Sequence, residues 1–218
     1  MHALELIGIS KAFGPVQANQ DIHLAVKQGT IHGIVGENGA GKSTLMSIIY
    51  GFYEADSGQI RVGERDVTIR SSAQAIALGI GMVHQHFMLV EPLSALENIV
   101  LGLEGGLTLG RGLKQARTKL TQLQHEYGLM VDVDVPVGEL PIGAQQRVEI
   151  LKALYRDADT LILDEPTDGL DPVQMRDMRA LIRDLAGRCG IVLSSHALTE
   201  VQAVCSRVII LRDGRALH

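Results

Sequence analysis

Tryptophan is absent from this 218-residue sequence, and three phenylalanines with four tyrosines supply all its aromatic rings. Basic residues are in the minority, 20 against 25 acidic, and the formal charge of -5 argues against a nucleic-acid partner, which needs a basic face to neutralise phosphates. An acidic average still leaves room for a local basic patch. No apolar stretch approaches 18 residues, and no leading run combines charged, apolar and cleavable segments. The expectation is therefore a chain that reaches a membrane only through a partner. Cysteine is scarce too: Cys189 and Cys205 sit in apolar surroundings and read as small core residues of a reducing compartment, not as a disulfide. What is plentiful is apolar side chain, at 46 %, and glycine, at 24 residues, which together point to a globular α/β protein rich in tight turns. The length suits one domain with room for an inserted lobe.

One stretch organises the rest. The apolar run Ile31-His32-Gly33-Ile34-Val35 reads as a strand, and it passes into Gly36-Glu37-Asn38-Gly39-Ala40-Gly41-Lys42-Ser43-Thr44. A strand that ends in G-x-x-x-x-G-K-[ST] and opens a helix is a phosphate-binding loop. Its glycines let backbone N–H groups turn inward around phosphate oxygens, and the start of the helix points its positive end at the same anions. Lys42 is then expected to bind the β- and γ-phosphates and Ser43 to place its hydroxyl on Mg²⁺. Leu45, Met46, Ile48 and Ile49 make the helix buried, and Gly51 stops it.

Around this unit the pattern alternates between strand and helix. Leu4–Ile9, Ile22–Val26 and Gly58–Ile69 read as an antiparallel layer, the last with a turn near Gly63-Glu64. Phe13 lies between the first two, either as a stacking platform for a base or as an ordinary packed ring. Ser71–Leu78 reads as a short helix closed by Gly79. Ile80–His84 follows as a buried strand ending at Gln85, a polar amide where open α/β sheets place their ligands. His84 and His86 flank that amide and read as solvated histidines, since a metal site would need a further ligand nearby.

The middle of the chain changes character. Ser94-Ala95-Leu96-Glu97 is a capping box, Glu104–Gly112 a flexible link, Leu113–Tyr127 a polar-surfaced helix and Val131–Gly138 a loop. Leu140-Pro141-Ile142-Gly143-Ala144-Gln145-Gln146-Arg147 opens a helix, with Pro141 in its first turn and Val148, Leu151, Leu154 and Tyr155 along one face. Residues 87–157 thus read as a helical lobe inserted between two parts of a sheet domain, 1–86 and 158–218. The sheet resumes at Thr160–Asp164, an apolar strand ending in Asp164 and Glu165. Asp164 can orient water on Mg²⁺, and Glu165 can orient or deprotonate an attacking water. Asp171-Pro172 caps another helix, Ile191–Ser195 is a buried strand with His196 just past its end, and Arg207–Leu211 precedes a tight turn at Asp213-Gly214.

Taken in order, these pieces resemble the ATPase domain of ATP-binding cassette (ABC) transporters over essentially the whole chain. The matching motifs are the phosphate loop at Gly36–Thr44, a glutamine loop at Gln85, the acidic strand Leu161–Glu165, an aspartate loop at Asp168-Gly169-Leu170-Asp171 and a switch histidine at His196. The resemblance implies a P-loop core sheet with an antiparallel β subdomain and an inserted helical subdomain, binding ATP and Mg²⁺. It gives Phe13 to the adenine, adds Gln85 and Asp171 to the nucleotide site and Gln85 to the metal, and makes Glu165, His196 and Lys42 the catalytic group. It also implies a head-to-tail pair of such domains, each offering Gly143 in trans to the other's nucleotide, on the cytoplasmic face of a membrane permease. For an importer a solute-binding protein joins them. Phe87-Met88-Leu89 would couple to that permease or else be buried in the lobe. Pro141 stands where the family has a serine, which removes one hydroxyl donor.

Met82–Val90 and Gln145–Lys152 resemble importers of nucleosides and simple sugars, whereas the chain from Asp168 onward is more like single-cassette exporters. Those importers usually fuse two cassettes and this chain has room for one, so a truncated half, a recombined chain and an unusual member all stay open. Two rival readings also stand: a soluble cassette protein working on nucleic acid or ribosomes, and a nucleotide-binding regulatory half that does not hydrolyse.

Overall fold

The computed structural model describes residues 2–85, 87–102 and 109–217. Two sheets share the chain, the first built on alternating burial and the second on strands buried on both faces. β1 (His2–Phe13) and β2 (Val16–Lys27) make a long antiparallel hairpin that β4 (Ser57–Val62) and β5 (Arg65–Val67) extend in the order β2-β1-β4-β5. Leu4, Leu6 and Ile9 on β1 face Ile22, Leu24 and Val26 on β2, and all six are buried. Both strands run well past the alternating apolar segments because a bulge at Gly8 and Asp21, each with positive φ, resets the register and lets the ladder continue to Phe13.

The second sheet has the order β10-β9-β3-β8-β7-β6. Its strands β3 (Ile31–Val35), β6 (Ile80–Val83), β7 (Thr160–Asp164), β8 (Gly190–Ser195) and β9 (Arg207–Arg212) are parallel, and β10 (Arg215–Leu217) closes an antiparallel hairpin on β9 through Asp213-Gly214. Its centre is covered on both faces, so β3, β6, β7 and β8 are buried along their whole length and mostly apolar. Ile34, Ile162 and Val192 point to one side, into a core shared with α1 (Lys42–Ile49) and the antiparallel sheet. Leu161, Leu163, Ile191 and Leu193 point to the other, into a core shared with α3 (Ala95–Val100), α4 (Leu109–Tyr127), α5 (Ile142–Tyr155) and α6 (Pro172–Ala186). Each fully buried side chain of this size contributes about 1.5–3 kcal/mol, so truncating Ile162 or Leu163 to alanine would loosen one layer without touching the other.

Helix ends follow local chemistry. Ser94 and Glu97 form both halves of the expected capping box at α3. Ser71 caps α2 (Ser72–Ala77), and Asp171 caps α6 by accepting from the N–H groups of Val173 and Gln174 at 2.8 and 2.9 Å. α7 (Leu198–Val204) follows β8.

Three expectations change. α4 begins at Leu109, not Leu113, so Gly110 and Gly112 are helical, while residues 104–108 of the expected link lie outside the described residues. Pro141 stands one position before the first turn of α5, at the N-cap, where its carbonyl accepts from Ala144 and Gln145. The apolar face expected on α5 is too narrow: Gln146, Glu149, Ile150 and Ala153 are buried along with Val148, Leu151 and Leu154. The helix is wedged between α3, α4 and the sheet.

Candidate functional site

The phosphate loop is fixed before any ligand arrives. Gly41 has φ +101°, and a Cβ there would lie 2.1 Å from the carbonyl oxygen of Ala18 on β2. A Cβ on Gly36 would lie 2.5 Å from the carbonyl oxygen of Leu211 on β9. The loop is thus gripped from behind by two strands. Asn19, fully buried, donates from Nδ2 to the Gly41 carbonyl at 3.1 Å, and Gly214 donates its N–H to Ala40 at 3.2 Å. No side chain caps α1, so the N–H groups of its first turn, Lys42, Ser43 and Thr44, face the cleft without a capping acceptor.

Lys42 folds back over the loop and is only 6 % exposed. Its ammonium donates to the carbonyls of Gly36 at 2.7 Å and Glu37 at 3.3 Å, and lies 3.4 Å from Oε1 of Glu165. Glu165 comes from the sharp turn after β7, where its φ is +48°, a strained value for a residue with a side chain. That turn is held by Ser194 of β8, whose hydroxyl and carbonyl both accept from the Glu165 N–H, at 3.0 and 3.2 Å. The same Ser194 hydroxyl donates to Asp164 Oδ1, which orients the second acid of the strand. On its outer side Glu165 Oε2 accepts from the His196 N–H at 3.1 Å and lies 2.9 Å from His196 Nδ1. One nearly buried carboxylate therefore sits between an ammonium and an imidazole, with open space in front of it.

That space is a cleft of about 570 Å³. Asn38, Gly39, Gly41, Lys42, Ser43 and Thr44 form its floor, Phe13, Val16 and Ala18 one wall, and Gln85, Glu165, Asp168 and His196 the other. Most of the residues singled out from the sequence thus meet in one place. Gly36, Ala40 and Asp164 stand just behind the surface. Phe13 is 41 % exposed at the rim, its ring set edge-to-face against Tyr53 at 5.1 Å. Asp56 holds that end of β1 through Lys11 Nζ and the Ala12 N–H, both at 2.7 Å, and these bonds hold its carboxyl below the usual carboxylate range. Gln85 reaches the cleft but donates to Asp168 Oδ2 at 3.1 Å.

Two other residues singled out from the sequence lie outside the cleft, one of them Gly143, expected to act in trans. Asp171 spends its carboxylate on the α6 cap, and Gly143 lines a separate cavity of about 250 Å³ between α5 and α6. His84 is only partly solvated: it packs against Tyr50 and Phe52, and burial lowers its pKa. His86 lies outside the described residues, and among these no cluster of three or more His, Cys, Asp or Glu side chains is placed to hold a metal ion. Of the apolar trio, Leu89 packs on the core while Met88 is 61 % exposed. Sequence reasoning missed Ser194 and Asn19. Each is a polar side chain placed within a sheet strand and wholly buried, a combination that calls for a partner.

Free helix-end N–H groups, an inward ammonium, an exposed Ser43 hydroxyl and a shielded Asp164 suit a triphosphate with a divalent cation. Such a cradle, at the C-terminal edge of a mostly parallel sheet, defines a P-loop nucleotide-binding domain. A family model described as "ABC transporter" matches residues 19–168. The nucleoside import ATP-binding protein NupA of Lactococcus lactis subsp. cremoris is 43 % identical over 98 % of this chain and 42 % of its own length. The guanosine import ATP-binding protein NupO of Bacillus subtilis is 42 % identical over 99 % of this chain and 42 % of its own length. The likeness to importers therefore runs through the stretch after Asp168 as well. Among solved structures, the ADP conformation of an ATP-binding cassette of an ABC transporter superposes with a TM-score of 0.87 at 26 % identity, covering 100 % of this chain and 90 % of that one. A dimeric cassette bound to ADP and Pi superposes with a TM-score of 0.79 at 26 % identity, covering 99 % of this chain and 97 % of that one. The chain belongs to the ABC transporter family. It spans less than half the length of the curated relatives it matches.

Proposed function

We propose that this cassette binds and hydrolyses MgATP to drive an importer for a nucleoside or simple sugar. The observation that carries the proposal is Glu165, nearly buried at the head of the cleft and held between Lys42 and His196. Lys42 and the first-turn N–H groups would bind phosphate oxygens, and Phe13 would offer its open face to the base. Ser43 and, through water, Asp164 and Gln85 would hold Mg²⁺, which neutralises charge on the phosphates when bound. Gln85 must then leave Asp168. Glu165 accepts the proton of the attacking water or orients it, with Lys42 drawn off its loop carbonyls toward the phosphates. His196, 57 % exposed on its side chain, stands on the solvent side to stabilise developing charge.

Gly143 lies outside the cleft, and no Cβ built on it would meet an atom within 4 Å. This supports a role toward a second cassette, with each α5 end closing the other's site. Residues 87–157 would move as a lobe in that closure. Beside Met88 a cavity of about 240 Å³, lined by Tyr50, Phe52, His84 and Glu149, would receive a helix of the membrane partner. No helix among the described residues is long and apolar enough to cross a membrane. Steady-state ATPase of the purified chain beside Glu165→Gln tests the proposal: the wild type should turn over and the variant should not, and equal rates would remove the assignment.

A further inference from the structure

We infer that Gln146 is a positioning residue for Glu165, tying its strained turn to the same end of α5 that carries Gly143. The inference rests on the reading of Glu165 as the residue that acts on water. A left-handed residue other than glycine persists only when its neighbours over-determine it. Ser194 fixes the N–H of Glu165, and the Asp168 N–H bonds the Glu165 carbonyl at 3.1 Å. The next peptide is fixed by Gln146, which donates from Nε2 to the carbonyl of Pro166. Among the described residues this is the one side-chain hydrogen bond from α5 to the turn after β7.

The surroundings make that bond selective. Gln146 is 3 % exposed, and its Oε1 has no partner among the described residues, so the amide is kept buried at a cost and for the sake of its donor. Gly143 and Gln146 are three apart and share a helix face. With Arg147 beside them, both line the cavity of about 250 Å³ whose opposite wall is Leu170, Gln174, Asp177, Met178, Leu181 and Asp184. Across this gap α5 and α6 are not filled against each other, and the Gln146 amide instead reaches the turn after β7 at Pro166. Displacement of the α5 end, where a second cassette's nucleotide would press on Gly143, is thereby passed to the peptide next to Glu165. Occupancy of one site sets the geometry of the acid in the other.

The test compares Gln146→Met, which keeps length and loses the donor, with Gln146→Glu, which can donate only when protonated. Misplacement of a reacting group by an ångström costs about a hundredfold in rate. Gln146→Met should lower kcat roughly ten- to a hundredfold while leaving ATP affinity and Tm near wild type. Gln146→Glu should regain activity relative to wild type as pH falls from about 8 to about 6, because a buried carboxyl protonates well above its usual range. Wild-type kcat in Gln146→Met, or a loss of ATP affinity in step with kcat, would overturn the inference. Should Gln146→Met fail to fold, a pH-independent ratio for Gln146→Glu would do the same. Glu165→Gln is run alongside: if it keeps the full rate, the underlying reading falls, whereas a dead Glu165→Gln beside an unaffected Gln146→Met sinks this inference alone.

Discussion

Helices α1 and α5 both begin at a glycine-containing loop, and neither first turn has a side-chain cap, yet the two ends are built differently. At α1 the loop is braced from behind: Gly41 and Gly36 are pressed against β2 and β9, Asn19 and Gly214 bond its carbonyls, and Lys42 is folded over it. At α5 Ile142 is 48 % exposed, Gly143 meets nothing, and the nearest wall is an open cavity. A glycine that its own chain requires is there for the fold. Gly143 has no such steric requirement from its own chain. The first end is built as a binding site by its own chain, and under the proposed function the second becomes one when a second cassette supplies the missing side.

Five variants put that contrast at risk. Glu165→Gln should lower ATP turnover by about 10²–10³ while ATP still binds, because under the proposed function the acid acts on water while the braced end holds the phosphates. With MgATP the same variant should become a dimer by light scattering, and a monomer at saturating ATP would leave the α5 end with no partner. Gly41→Ala should cost about 3 kcal/mol or more and abolish nucleotide binding, since its methyl would enter Ala18 while φ stays left-handed. A urea midpoint close to wild type would show that the brace yields.

Acid should loosen the braced end through its strand. His32 on β3 is buried, with its pKa lowered to about 4, chiefly by desolvation and next by the charge on Arg207. Below about pH 6.5 the unfolded chain therefore binds a proton that the folded chain refuses, so stability falls as pH drops from about 6.5 to about 4, by up to about 3 kcal/mol. His32→Gln should flatten this part of the urea-stability profile. Phe13→Ala should weaken ATP binding by about 1–2 kcal/mol, roughly tenfold, with Tm unchanged, as measured by titration. The smallest effect on the fold is expected for Gly143→Ala: stability within about 0.5 kcal/mol of wild type, with the loss confined to ATPase activity. Destabilisation there would mean that the α5 end is held by its own chain as firmly as the α1 end.

Much of this was legible in the sequence because each part announces itself locally. The phosphate loop is a contiguous run, the parallel strands are apolar runs of fixed length, and Ser94-Glu97 and Asp171-Pro172 write their own caps. What could not be read are relations between distant residues. Nothing around Asn19 indicates that it meets Gly41, and Ser194 gives no sign that it bonds both acids of a strand 30 positions earlier. The bulge at Gly8 and Asp21 was hidden for a related reason. It breaks the alternation that marks a strand, so each ladder looked half its true length. Gly110 and Gly112 misled in the opposite way, as residues that usually interrupt a helix and here lie inside one.

The backing of the phosphate loop has a consequence for how the protein is made. The hairpin β9–β10 supplies Leu211 and Gly214 against Gly36 and Ala40, about 170 positions later in the chain. During synthesis the loop emerges long before its backing, and pairing across such a separation is slow. A ribosome-bound chain that stops short of Leu211 should therefore carry the whole P-loop motif and still fail to retain ATP.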